Sequence, residues 1–405
     1  KSNPKAFAGN KRLYYFPRFM NSKCLEIIDW SGAFSECTNL TEANINTSNG
    51  TNFSNIFYNC SKLINVINTG DFSKGLNFTN AFRGCKSLTD ETIKNLKFDN
   101  ITNGFGMFGY GTKITQLPKF NHETITNMGE MFWDSSLSDL GETDLSFPNV
   151  TNADYIFGQT QITKVPNLFL PKATSATGLF QNCSKLIIIS GLSIPKVMNS
   201  ARMFQGCSNL ESAPVLDLTS AQYISYLFQG CSKIKTVKFS NIPDRNFTEG
   251  SIYVFNNCSS LERIERTNNP LCRGNCDNFA SGCTSLIEFN QDTSNVTSFY
   301  HMFDGDTSLE TIKTIDGTAS QGFASTFLNC SALKNIEITP STIKCNISFG
   351  DSPLLTDASI QNIIDGLATV TSQQTLTLHT DVKSKLTDEQ KSAIASKNWE
   401  LDIKR

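Results

Sequence analysis

One short motif recurs along most of this 405-residue chain: a Phe is followed three residues later by Cys and six residues later by Leu or Ile. Complete copies begin at Phe34, Phe57, Phe82, Phe180, Phe204, Phe228, Phe255 and Phe327, and degenerate copies at Phe108, Phe132, Phe157, Phe279, Phe303 and Phe349. These fourteen anchors lie 22 to 27 residues apart. Because self-similarity at such a period is typical of stacked repeats, the sequence predicts a solenoid.

Each repeat contains two recognisable segments. Before the Phe, apolar residues at i, i+3 and i+4, as at Met128, Met131 and Phe132, share one face of a short helical turn. Residues that suit the N-cap position of these turns are Thr126, Thr151 and Thr297. After the Leu or Ile, apolar residues at three and often five positions further on predict a short strand. We therefore predict an α/β solenoid of the leucine-rich-repeat class with about 14 repeats, a parallel sheet on one face and short helical turns on the other.

The pattern divides the chain into three parts. Residues 31–351 carry the repeats, and residues 1–30 are either an N-terminal cap or a decayed repeat. Residues 352–405 lack the motif and predict a small α/β cap, because an array needs a closing element at its end. The predicted elements of this cap are a helix over 356–367, a strand over 374–379, a helix over 386–398 and a strand over 399–403. Thr387 and Gln390 have capping-box spacing at the second helix.

Cysteine fills one slot of the repeat. This column comprises Cys37, Cys60, Cys85, Cys183, Cys207, Cys231, Cys258 and Cys330, with Cys283 displaced by one residue. A metal or redox column is the alternative to a stack of small buried side chains. Because Gly111, Ser135, Thr160 and Asp306 occupy the same slot elsewhere, we predict burial. A hydroxyl in this slot would lack a partner, so Cys207→Ser should cost about 1–3 kcal/mol of stability.

Cys272 and Cys276 lie off the column in a turn-rich connector. They are either a local disulfide or two free thiols, because no nearby His completes the four ligands that zinc requires. The Gly104–Gly109 segment matches a dinucleotide fingerprint but lies on a repeat anchor without the βαβ context. With only three scattered His residues and no hydrolase motif, we predict no catalytic site, cofactor or metal. A carbohydrate-active enzyme is the remote alternative, since dispersed carboxylates can converge in a fold.

Charge and hydropathy exclude two classes of partner. The net charge is −2 and charged residues make up 18% of the chain, so no basic field is available to attract nucleic acid. No window approaches the ~20 consecutive apolar residues of a membrane span, which predicts no membrane insertion. The chain begins at Lys1 and residues 1–10 lack an apolar signal core, which favours a processed or trimmed fragment.

The exposed side of the predicted strands offers a candidate ligand-binding face. Polar residues at two fixed offsets after the Leu or Ile anchor are Lys238, Arg263, Glu265, Glu288, Asn290, Lys313 and Glu337. These side chains alternate with buried ones and should therefore point to solvent on adjacent strands. The alternative to a binding groove is a solvated charge ladder in which neighbours of opposite sign cancel. The N-terminal half has no matching row, since Ile67 and Pro214 occupy it there.

Three segments carry a resemblance to a known family. Asn295–Phe303 (NVTSFYHMF), Ile125–Phe132 (ITNMGEMF) and the closing stretch from Leu386 to Trp399 resemble the BspA-like leucine-rich-repeat surface proteins. That family occurs in Bacteroides-type gut bacteria and mucosal protozoa, with related virion proteins in phages. The resemblance covers about residues 31–405, and it departs at Phe132 and Phe157, where the Cys is replaced.

The resemblance implies a non-catalytic recognition or adhesion module that is extracellular or on a cell surface. Its expected partner is a host or bacterial surface protein or glycan. The alternative is a structural or receptor-binding component of a phage tail or virion. In both settings, assembly into a larger surface or virion complex is expected.

Overall fold

The computed structural model describes residues 5–17, 26–68, 71–265 and 269–404. The chain forms two compact units, Lys1–Val197 and Met198–Arg405. Both units are made of the same stacked repeat, and the fold is a parallel β-solenoid of about 16 turns with little helix. The predicted solenoid with a parallel sheet is therefore confirmed.

The strands are short, and every pairing between them is parallel in the described ranges. The first unit contains β1 Tyr15–Phe16, β2 Glu42–Ile45, β3 Asn65–Asn68, helix α1 Asp90–Ile93, β4 Leu145–Ser146, β5 Lys164–Phe169 and β6 Ile188–Ser193. The second unit contains β7 Leu216–Asp217, β8 Thr236–Val237, β9 Phe239–Asn241, β10 Arg263–Ile264, β11 Gly274–Asn275, β12 Glu288–Phe289, β13 Val296–Ser298, β14 Thr311–Ile315, β15 Asn335–Ile338 and β16 Ile347–Phe349. It continues with α2 Asp357–Gly366, β17 Gln374–His379, α3 Thr380–Lys383, α4 Asp388–Ser396 and β18 Trp399–Lys404.

The segments around the Phe anchors are stacked tight turns, and not the short helices that the apolar spacing predicts. Around Phe57, the residues two before and two after the ring, Asn55 and Asn59, have φ of 56° and 55°. An α-helix requires negative φ throughout, so these residues interrupt it. The Phe57 N–H donates to Ala81 O of the next repeat at 2.9 Å, and Asn59 N–H to Arg83 O at 2.8 Å. Backbone groups that a helix would pair internally are thus satisfied by the neighbouring repeat.

The residue that caps each turn also differs from the prediction. Thr126 and Thr151 do not cap a helix: the Thr126 hydroxyl donates to Thr102 O at 3.0 Å, and the Thr151 hydroxyl to Thr126 O at 3.2 Å. The next residue caps the turn, because Asn127 Oδ1 accepts from Gly129 N–H at 3.1 Å. Ser298, which follows Thr297, caps its turn in the same way, because its Oγ accepts from Tyr300 N–H at 3.4 Å.

The core is a column of Phe rings beside the column of Cys side chains. In the first unit, consecutive anchors from Phe34 to Phe157 stack with centroids 5.3 to 6.0 Å apart. The column cysteines are fully buried, as predicted. Their thiols donate to the Phe carbonyl of the preceding repeat, as Cys60 Sγ does to Phe34 O at 3.0 Å and Cys231 Sγ to Phe204 O at 3.1 Å. The premise that a hydroxyl in this slot would lack a partner is therefore wrong.

Residues 5–17 have the geometry of one more repeat. The Phe7 ring stacks on Phe34 at 5.4 Å, and the residues two to either side of it, Lys5 and Gly9, have φ of 61° and 72°. Cys37 Sγ donates to Phe7 O at 3.0 Å. Residues 5–17 thus continue the stacking of the array, and whether the segment is a cap or a decayed repeat stays a prediction. Residues 1–4 and 18–25 of the predicted segment lie outside the described residues.

The segment 352–405 has the predicted order of helix, strand, helix and strand, with α3 as an additional short helix. Thr387 and Gln390 form the expected capping box, with Gln390 N–H donating to the Thr387 hydroxyl at 3.2 Å. Ser359 of α2 bonds the open edge of β15, since its hydroxyl donates to Lys334 O and accepts from Ile336 N–H. That these contacts cap and stabilise the array stays a prediction.

Candidate functional site

The predicted polar residues lie on short parallel strands of the second unit. Arg263 on β10 pairs with Thr236 on β8, and Glu288 on β12 pairs with Thr311 on β14. The second row lies two residues further along each repeat, with Lys313 on β14 and Glu337 on β15. The strand register that the repeat spacing predicts is therefore present in the fold.

Most of these side chains face solvent. Lys238, Arg263, Glu288, Lys313 and Glu337 are exposed, whereas Glu265 and Asn290 are partly buried. Lys238 and Glu265 form an ion pair, with Nζ 3.3 Å from Oε2. That pair matches the solvated ladder alternative, and exposed pairs of this kind contribute only about 0–1 kcal/mol.

A break in the sheet separates β10 from β12. At intact steps, the N–H after the Leu or Ile anchor donates to the preceding repeat, as Glu262 N–H does to Lys235 O and Glu310 N–H to Ile287 O, each at 2.9 Å. Among the residues that the structure describes, no corresponding bond runs from Ile287 N–H to Glu262 O, and β10 and β12 belong to different sheets. Backbone donors and acceptors therefore face each other across this step without pairing.

This break opens a cavity of about 530 Å³, which we call the inter-strand cavity. Its lining residues are Thr236, Glu262, Arg263, Ile264, Ile287, Glu288, Phe289 and Asn290. The structure thus brings together three of the predicted residues, Arg263, Glu288 and Asn290. Lys313 on β14 and Glu337 on β15 do not line the cavity.

An irregular repeat accompanies the break. Ala280, not Phe279, lies at the centre of this turn, because Asn278 and Gly282 are its left-handed residues with φ of 53° and 78°. The Phe279 ring consequently meets Phe255 edge-on, at an interplanar angle of 84°, instead of stacking. The one-residue displacement of Cys283 is the sequence signal of this irregularity. The glutamate and isoleucines of the cavity lining, Glu262, Ile264 and Ile287, were not predicted, since their contribution depends on the missing strand pairing.

A second, comparable cavity lies in the first unit. It has a volume of about 480 Å³ and is lined by Thr41, Glu42, Ile64, Asn65, Thr89, Glu91 and Thr92. Here α1 follows in place of the next strand, and the Thr92 hydroxyl donates to Ile64 O. Part of the open edge is thus satisfied by a side chain. The inter-strand cavity has no such substitute among its described lining residues.

Cys272 and Cys276 are two free, buried thiols in this fold, which is the second of the two alternatives that the sequence left open. Burial raises the pKa of the Cys272 thiol well above its usual value, and a hydrogen bond with the Cys276 side chain raises it further. A buried neutral thiol is a poor nucleophile for disulfide exchange, because the thiolate is the reactive form. In the described ranges, no group of three or more His, Cys, Asp or Glu residues is placed to hold a metal ion.

A family model described as "BspA type Leucine rich repeat region" matches residues 150–271 and 276–371, which together are more than half of the chain. The chain belongs to this family. A second model, described as "Mycoplasma protein of unknown function, DUF285", matches residues 28–140 and 51–168 of this chain. The chain has no significant match among curated proteins. Family and fold are those of leucine-rich repeat proteins, which are generally non-enzymatic.

Solved structures of bacterial repeat proteins are similar to this BspA-type chain at low identity. A leucine-rich cell surface protein from Faecalibacterium prausnitzii is 23% identical, with a TM-score of 0.40 over 75% of this chain and 80% of that chain. A leucine-rich repeat protein from Bacteroides ovatus is 19% identical, with a TM-score of 0.42 over 78% and 80%. Among the helices of the described residues, none is long and apolar enough to cross a membrane.

Proposed function

We propose that this BspA-type repeat protein is a non-catalytic recognition module that works outside the cell or on its surface. Its ligand, a protein or a glycan, binds at the inter-strand cavity. The single observation that supports this site is that three polar residues predicted from the repeat pattern, Arg263, Glu288 and Asn290, line the cavity at the unpaired step of the sheet. Backbone groups that lack a strand partner add directional hydrogen bonding to these side chains. The phage virion setting and assembly into a larger complex stay predictions.

Two pairs of variants on nearby strands of the second unit test the proposal. Arg263→Ala with Glu288→Ala changes the cavity lining, whereas Lys313→Ala with Glu337→Ala changes exposed charges outside it. All four side chains are exposed, so we expect either pair to change stability by less than about 1 kcal/mol. Attachment to a panel of bacterial surface polysaccharides, mucin-type glycans and host matrix proteins should fall at least tenfold in the cavity pair alone.

Equal loss of attachment in both pairs would refute the cavity as the binding site. The assay also includes a measurement of reducing ends, because Glu262 and Glu288 line the same cavity and glycosidases use two carboxylates. If the unmodified chain releases reducing ends from a polysaccharide and Glu288→Ala does not, the protein is a glycoside hydrolase and not a non-catalytic recognition module.

A further inference from the structure

We propose that the inter-strand cavity binds a neutral saccharide. This inference rests on the proposed function and adds the chemical class of the ligand. A volume of about 530 Å³ lies within the range of about 300–1,000 Å³ that is typical of small-molecule sites.

The width of the open step argues against a peptide strand as the ligand. Cα atoms of β10 and β12 approach within 8 Å of each other. A strand inserted between them would need two ladder spacings, about 9.6 Å in total. The gap therefore accommodates small polar groups that reach into it from the exposed side.

Hydroxyl groups match the polar groups that surround the gap. On one edge Glu262 O is an unpaired acceptor, and on the other Ile287 N–H is an unpaired donor, among the described residues. A hydroxyl both donates and accepts, so a ring bearing several hydroxyls can satisfy neighbouring groups of either kind. The Arg263 guanidinium and Glu288 carboxylate, which form no ion pair with a described residue, supply a planar donor and a planar acceptor beside them.

Apolar surface is also present where a sugar ring would lie. The Ile287 side chain is 54% exposed, and Ile264 lines the same cavity on the opposite strand. A pyranose has a C–H face as well as its hydroxyls, and burying that face against the two isoleucines is favourable. Small-molecule sites generally combine such apolar contacts with a few polar groups that set orientation.

The charge of the lining gives no net attraction for an anionic ligand. Its charged side chains are Glu262, Arg263 and Glu288, with a net charge of −1. Lys235 offsets the first of these, with Nζ 3.5 Å from Glu262 Oε1, so the charges at the cavity sum to zero. A carboxylate or sulfate on the ligand would be repelled by Glu288 and attracted only by Arg263.

A glycan array with the full chain tests this inference. The probes are neutral gluco-, manno- and galacto-oligosaccharides, the acidic polymers hyaluronan and polygalacturonate, and a library of extended peptides. We expect neutral oligosaccharides alone to bind, with affinity lowered at least tenfold by Glu288→Gln and by Arg263→Ala. Lys313→Ala, on β14 next to β12 but outside the cavity, should bind as the unmodified chain does.

The outcomes separate the inference from the proposed function. Binding of an acidic polymer or a peptide that is lost in the cavity variants would overturn the saccharide class and keep the site. Binding of any probe that Glu288→Gln and Arg263→Ala leave unchanged would overturn both. If no neutral oligosaccharide binds, the inference is wrong.

Discussion

Replacing Asp306 by Cys should make the stability of the second unit less dependent on pH. Asp306 occupies the cysteine slot after Phe303 and is fully buried. Its Oδ1 accepts from Cys283 N–H at 2.7 Å, but Oδ2 has no hydrogen-bond partner in the described part of the chain. Burial raises the pKa of this carboxyl well above its usual value, and the nearby charge of Asp304 raises it further. The native state therefore favours the neutral acid of Asp306 over its carboxylate.

The direction of the pH effect follows from this raised pKa. In the unfolded chain the carboxyl ionises near its ordinary pKa of about 3.9, while in the native state it keeps its proton to higher pH. The group's contribution is fully present below about pH 4. It is lost as pH rises toward the native pKa, by up to ~1.4 kcal/mol per pH unit. Asp306→Cys removes this loss, because a buried thiol stays neutral.

The substitution also changes two hydrogen bonds. It removes the unpaired Oδ2, which costs about 1–3 kcal/mol when buried. It loses the bond to Cys283 N–H, but that donor keeps Ala280 O at 3.0 Å. At pH 4, where the pH-dependent loss is still small, we expect a net gain of about 1–2 kcal/mol, equivalent to ~2–8 °C in melting temperature for a unit of this size, and a larger gain near pH 7.

Urea denaturation at pH 4, 6 and 8 measures the effect as a difference from the unmodified chain, which cancels the titration of all other groups. Asp306→Asn is the matched control, because it is neutral at every pH and keeps the Oδ1 acceptor. Both variants should gain stability relative to the unmodified chain between pH 4 and pH 8. Denaturation curves that shift in parallel with pH for all three proteins would refute a buried neutral acid.

Two further predictions concern the cysteines. Cys231→Ala should lower the free energy of unfolding by about 1–2 kcal/mol, because it leaves a void and removes the donor to Phe204 O. Cys231→Ser keeps a donor and should cost less. Equal losses for the two variants in urea denaturation would mean that the thiol acts by volume alone. Cys272 and Cys276 should both take up iodoacetamide when the protein is unfolded without reductant, and a joined peptide 2 Da lighter in mass spectrometry would show a disulfide instead.

Much of the fold follows from the spacing of Phe, Cys and Leu within a repeat. This spacing predicts stacked parallel strands, and the register of Thr236 with Arg263 agrees with it. The C-terminal segment also follows from local sequence signals, since the capping box that the spacing of Thr387 and Gln390 predicts is present in the structure. Even the left-handed turns have a sequence signal that the helical interpretation missed. Asn59 and Gly84, the residues before two column cysteines, are types that favour positive φ.

Only the tertiary structure decides how one repeat meets the next. The thiol of Cys60 bonds Phe34 O, which is 26 residues away, and the apolar pattern contains no indication of that acceptor. Likewise, the exposed residues Arg263 and Glu288 are visible in the sequence as one continuous row, but whether their strands pair depends on the Ile287 N–H reaching Glu262 O. The periodicity is a property of the residues within each repeat. A hydrogen bond between repeats depends instead on how two neighbouring repeats are placed relative to each other. For that reason the sequence indicates the exposed face, and the folded chain alone shows where that face opens into a cavity.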